Sequence, residues 1–156
     1  MISLIPRAAG IYVLVLLVEA PLKIHVGSLG YITITRGKYV YLGSARGPGG
    51  LLARINRHYS KRKKLRWHID YLTVSERVRI IGVVYAITWK NLENSLYREL
   101  IKMGFTPYIY GFGSSEYKLK EYSHLLRFSG EADIFKIISN AMTNLGLKPV
   151  RLRLMM

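Results

Sequence analysis

Residues Gly10 to Val18 form an unbroken apolar run, Gly-Ile-Tyr-Val-Leu-Val-Leu-Leu-Val, the pattern of a strand covered on both faces. Glu19-Ala-Pro21 ends it. Two shorter pieces follow, Leu22 to Val26 and Tyr31 to Thr35; Gly27-Ser-Leu-Gly30 separates them, and they read as an inserted β-hairpin. Tyr39 to Leu42 is the next strand, and the glycine-rich turn Gly43 to Gly50 releases into a helix from about Leu51 to Tyr59. Trp67-His-Ile-Asp-Tyr-Leu72 resumes packed structure as a short helix, and Arg79 to Thr88 is a third convincing strand. Asn91 is placed to cap a helix that runs to Met103, with Gly104 as its stop. Ser123 to Phe128 is short and apolar. Glu131 to Leu145 is helical, with Ile134, Ile137, Ile138, Ala141 and Leu145 on one face.

This layout predicts an α/β or α+β fold built on a small, mainly antiparallel sheet. At 156 residues and 50% hydrophobic content, the chain suits one compact domain with an appended C-terminal element. That last helix is suited to contact a second copy or a protein partner.

Charge changes the picture. Lys and Arg number 24 against 9 Asp and Glu, a formal charge of +15, so the field attracts polyanions and nucleic acid is the leading partner. A membrane surface would use a long amphipathic helix with a basic face, and none is present. The run Ile11 to Val18 is too short for a membrane span or a secretory core, so a cytoplasmic location is expected. Without cysteine, neither disulfides nor thiolate-bound zinc can hold the fold. The chain also lacks glutamine, which together with the missing cysteine points toward a hot-growing, thermophile source.

Several residues could carry chemistry. Tyr12 and Tyr41 lie near glycines on two strands, where tyrosine is also an ordinary packing residue. Arg54 and His58 sit four apart on the helix after the glycine-rich turn, hence side by side; they could face a cleft or belong to a basic surface helix. Glu93 falls toward the buried face of its helix, where a carboxylate needs a cation, a partner or a cleft; a first-turn glutamate favoured by the helix dipole explains it equally. Together these groups could serve phosphodiester hydrolysis, with arginine and a metal stabilising the charge that develops. One carboxylate suggests a single Mg²⁺ or Mn²⁺ completed by water and phosphate. The run Lys61, Arg62, Lys63, Lys64 and Arg66, with Arg57 and Arg46 nearby in sequence, is a candidate phosphate-binding strip. The turn Gly43 to Gly50 could offer backbone N–H groups to phosphate, but it lacks the Lys-Ser/Thr ending that nucleotide hydrolysis requires.

Gly10-Ile11-Tyr12, Tyr39-Val40-Tyr41-Leu42-Gly43, the Arg54/His58 pair and helical Glu93 resemble, in order, the motif series of the GIY-YIG nuclease superfamily. More narrowly, the stretch from Tyr39 to Leu51, Trp67 to Leu72, Gly111-Phe-Gly-Ser-Ser115 and Ser123-His124-Leu125 resemble its prokaryotic and archaeal DUF123 branch, over about residues 10 to 128. The resemblance implies a three-stranded antiparallel GIY-YIG-like sheet flanked by helices, with residues 1–128 as nuclease domain and 129–156 as accessory helix and tail. It also implies a DNA-directed endonuclease of repair or processing type. Tyr12 or Tyr41 would then be the base, Arg54 the electrophilic stabiliser, Glu93 the metal ligand, and His58 and His68 auxiliary histidines. The 26 residues between Tyr12 and Tyr39 exceed the usual superfamily spacing. Glu116 to Tyr122 stands where the branch usually carries cysteines, and no late asparagine is placed. A non-catalytic nucleic-acid-binding module of the same fold remains the alternative.

Overall fold

The computed structural model describes residues 2–113 and 123–154. Its centre is β1 (Gly10–Val18), flanked antiparallel by β4 (Gly37–Ala45) and β5 (Val78–Ile87). β2 (Leu22–His25) and β3 (Tyr31–Ile34) form the separate hairpin between β1 and β4. Three short strands widen the main sheet. β6 (Thr106–Pro107) pairs with β7 (Leu125–Phe128), β7 pairs with β4, and β8 (Val150–Arg153) pairs with β5. The sheet therefore has six strands in the order β6-β7-β4-β1-β5-β8, whereas the expectation was three. The three expected strands are its middle, and the flanking ones, two to four residues long, are too short for their periodicity to declare a strand.

The apolar run of β1 is buried on both sides because helices cover both. On one face Tyr12, Leu14 and Leu16 pack with Leu51 and Ile55 of α1 (Gly50–Tyr59) and Ile69 and Leu72 of α2 (His68–Thr73). On the other, Ile11, Val13 and Val15 pack with Leu96 and Leu100 of α3 (Glu93–Lys102) and the inner face of α4 (Ile134–Asn144). The result is three layers with the sheet between.

α3 begins after Leu92, whose side chain makes no cap bond, so Asn91 does not have the capping role expected of it. Gly104 does end that segment, at φ +101°. The C-terminal helix α4 is capped by Asp133, whose side chain accepts from the Phe135 N–H; the sequence pattern starts this helix slightly earlier, at Glu131. The last two residues of the Gly111 to Ser115 stretch, and all of Glu116 to Tyr122, lie outside the described residues.

Candidate active site

The two signature tyrosines stand on adjacent strands of the α1-covered face. Tyr12 lies opposite Gly43, and Tyr41 opposite Leu14. That register explains the glycine: a Cβ at position 43 would meet the Tyr12 ring at 2.5 Å. Gly10 is constrained likewise, since a Cβ there would lie 2.4 Å from the Ala86 carbonyl oxygen and 2.6 Å from Leu51 Cδ1. The glycines near both tyrosines are thus packing requirements that let Tyr12 and α1 seat against the sheet.

α1 presents Arg54 and His58 one turn apart, as spacing predicted. His58 is fully buried, and its Nε2 lies 2.6 Å from the Tyr12 hydroxyl. Burial, reinforced by the charge of Lys63, pushes the His58 value down to about 3, so the ring is neutral; in the tautomer with its proton on Nδ1, Nε2 accepts the Tyr12 O–H. His58 Nδ1 is buried without a hydrogen-bond partner among the described residues, a cost that packing must offset. Burial, and next the neighbouring Tyr41, raise Tyr12 well above the ordinary tyrosine value, while Arg54 pulls it back. Tyr41 is also raised, by burial first and Glu93 second.

Tyr12 and Tyr41 each feel both Arg54 and Glu93 electrostatically, so the four groups share one neighbourhood. Glu93, at the first turn of α3, is 17% exposed, with its carboxylate 3.9 Å from His124 Nε2. His124 Nδ1 in turn is 2.7 Å from the Leu42 carbonyl oxygen. Glu99, on the same helix, is similarly covered at 18% but approaches Lys102 and accepts a bond from Asn144, away from the tyrosines.

Arg54 donates to the Ser44 carbonyl at 3.1 Å and lies 4.5 Å from the centre of the Trp67 ring. Arg57 lies 4.2 Å from the same ring centre. Arg57 is fixed in turn by Asp70, a fully buried carboxylate that takes both guanidinium nitrogens at 2.6 and 2.8 Å and the N–H groups of Arg66 and Trp67 at 2.9 Å. Burial disfavours the Asp70 charge, yet the Arg57 bonds and the two backbone N–H groups hold it below the ordinary carboxylate value. Asp70, Arg57 and Trp67 thus form a braced platform under Arg54. Sequence reading missed the role of Trp67, Asp70 and His124. The Trp67-His-Ile-Asp70 grouping was visible, but no spacing rule shows that its tryptophan lies against an arginine thirteen residues earlier.

The expected phosphate-binding strip is divided by the structure. Lys61 Nζ donates to the carbonyls of Thr73, Ser75 and Val78, and Lys63 Nζ to those of Arg57 and His58 and to Thr73 Oγ1. Both lysines tie helix ends to the following segments. Burial pushes Lys63 down to about 8. Arg46, Arg62, Lys64 and Arg66 are exposed. His68 is partly buried against Phe112, accepts the Gly113 N–H on Nδ1 at 2.8 Å, and reaches Ser28 Oγ through Nε2. It links the hairpin to the loop beside Tyr41.

Two further findings bear on kinship. A family model described as a domain of unknown function, DUF123, matches residues 11–147; the chain belongs to this family. No curated protein and no solved structure matches it. Among the described residues, no helix is long and apolar enough to cross a membrane.

Proposed function

We propose that this chain is a metal-dependent endonuclease of the GIY-YIG type, hydrolysing phosphodiester bonds in DNA during repair or processing. The observation that carries the reading is the Tyr12–His58 hydrogen bond placed within electrostatic reach of Arg54 and Glu93. An antiparallel trio β4-β1-β5 bearing both tyrosines, with the arginine and histidine on the next helix, supports the superfamily kinship.

Tyr12 is neutral at physiological pH, since burial raises it. Its hydroxyl donates to His58 Nε2 and leaves an oxygen lone pair for the attacking water. As that water adds to phosphorus, its proton passes to Tyr12 Oη while the Tyr12 proton passes to His58 Nε2. The negative charge of the arriving phosphodiester raises the proton affinity of His58 and so assists the second transfer. Arg54, partly exposed on its braced platform, neutralises charge growing on the phosphoryl oxygens. Tyr41, at the edge of the pocket, orients a phosphate oxygen.

The donor set fits a hard divalent ion. Among the described residues no group of three or more His, Cys, Asp or Glu could enclose a metal, which does not suit zinc. Mg²⁺ or Mn²⁺ held through one carboxylate and several waters needs only Glu93. Such an ion, when bound, supplies Lewis-acid stabilisation to the departing oxygen.

The test is incubation with duplex, branched and single-stranded DNA in Mg²⁺ or Mn²⁺, with EDTA as control. Metal-dependent cleavage is expected on at least one substrate. Salt-sensitive binding without cleavage on any of them overturns the enzyme reading and leaves a nucleic-acid-binding module.

A further inference from the structure

The hairpin β2–β3 has two unlike faces. Leu22 and Ile34 are buried against the core and Ile24 and Ile32 pack beside them, whereas Lys23, His25, Tyr31 and Thr33 alternate outward. Pairing sets His25 opposite Tyr31 and Lys23 opposite Thr33. Tyr31 is 72% exposed. The His25 ring stands edge-on to it with centres 5.2 Å apart, and Lys23 Nζ lies 5.8 Å from the Tyr31 ring centre. A ring this exposed contributes little to the core and is accessible to a ligand at the surface.

The hairpin is also attached to the candidate site. Its tip carries Ser28, whose Oγ lies 3.4 Å from His68 Nε2, and His68 Nδ1 accepts the Gly113 N–H. Gly113 in turn packs on Tyr41 and His124. The hairpin is therefore joined at its tip to the candidate site through a short series of direct contacts.

We propose that the Lys23–His25–Tyr31 face is a stacking platform for an unpaired base, so that the substrate carries a single-stranded segment beside the cleaved bond. This rests on the reading of the chain as a DNA-acting enzyme. The chemistry is specific to unpaired nucleotides. A base within a duplex has both π-faces covered by its neighbours, whereas a free base can lay one on Tyr31. Lys23 offers a cation to the phosphate beside it, and the +15 charge of the chain draws the strand in. Stacking of this kind tolerates any sequence, so the platform selects structure and leaves base identity unread.

Binding measured by fluorescence anisotropy without divalent metal tests this, using the full chain with a labelled single strand, a blunt duplex, and a duplex bearing a single-stranded overhang. Tyr31→Ala is expected to weaken the single strand and the overhang by about tenfold and the blunt duplex by less than about twofold, because paired bases leave the Tyr31 ring unused. Tyr31→Phe, which keeps the ring, is expected to bind as wild type. Equal losses on all three DNAs, or no loss on any, overturn the platform. Circular dichroism checks that the variant is folded, as a substitution at so exposed a side chain should be. Because binding is read without metal, the two proposals fail separately. If the binding difference is present and no DNA is cut, the platform stands and the nuclease reading falls; if DNA is cut and Tyr31→Ala binds like wild type, the reverse holds.

Discussion

The Tyr12 hydroxyl and His58 Nε2 meet at 2.6 Å in a pocket where both residues are buried. Neither group is a strong base or acid alone, because burial lowers His58 and raises Tyr12. In the proposed mechanism they work in series, passing one proton inward from a water. Tyr12→Phe removes only the relay oxygen and keeps the ring packed on Gly43. It is expected to lower single-turnover cleavage by about 10²–10⁴-fold. Because it also leaves the buried His58 Nε2 without its partner, a stability loss of about 1–3 kcal/mol is expected beside it, and cleavage is compared where circular dichroism shows the variant folded. A variant that cleaves normally would remove Tyr12 from the mechanism.

Stability should follow pH in a defined direction. His58 is at about 3 in the folded chain and near 6.5 when unfolded, so between these values the unfolded chain binds the extra proton. Its contribution is fully present above about pH 6.5 and is lost toward pH 3, at about 1.4 kcal/mol per pH unit. Asp70, held below its ordinary value, adds a loss of the same sign at lower pH. Urea melts between pH 7 and about 5 should show this slope, and His58→Phe should reduce it by about one proton.

The basic residues should separate into two groups. Lys61 and Lys63 each hold carbonyls at helix ends, so Lys61→Ala and Lys63→Ala are expected to lower thermal stability by about 1–3 kcal/mol. Arg62→Ala and Lys64→Ala, at exposed positions, are expected to leave stability unchanged and to reduce the salt dependence of duplex binding, by about 0.9 in log–log slope for each phosphate no longer neutralised. Measured slopes unchanged in both exposed variants would place the nucleic-acid surface elsewhere.

Asp70→Asn should be the most damaging polar substitution near the site. It removes the charge that fixes Arg57 and leaves a guanidinium partly buried and unpaired, at a cost of about 3 kcal/mol. Since Arg57 shares the Trp67 ring with Arg54, a shift in Trp67 fluorescence should accompany the loss. A Trp89→Phe background removes the other tryptophan for that measurement.

How much of this was legible beforehand depended on range. The run Gly10 to Val18 declares a doubly covered strand because nine residues repeat one message, and observed β1 has those bounds. Val150–Arg153 alternates apolar and basic over four residues, too short to distinguish a strand from a tail, and its pairing with β5 is a tertiary fact. Arg54 and His58 could be placed side by side by helical spacing alone. Lys61 and Lys63 read as part of a candidate phosphate-binding strip, since nothing local distinguishes an ammonium bonded to carbonyls from one free to meet phosphate. Helical angle places Glu93 toward the buried face, yet Glu99 on the same helix is nearly as covered; what separates them is the company of Tyr12 and Tyr41.

That company is the central claim, and metal-dependent cleavage by Glu93→Ala beside Glu99→Ala tests it most directly. The two substitutions remove the same group from one helix at similarly covered positions. Wild type and Glu99→Ala should cut at comparable rates in Mg²⁺ or Mn²⁺, with Glu93→Ala reduced by at least about 10²-fold. Equal cleavage by Glu93→Ala and wild type would contradict the account.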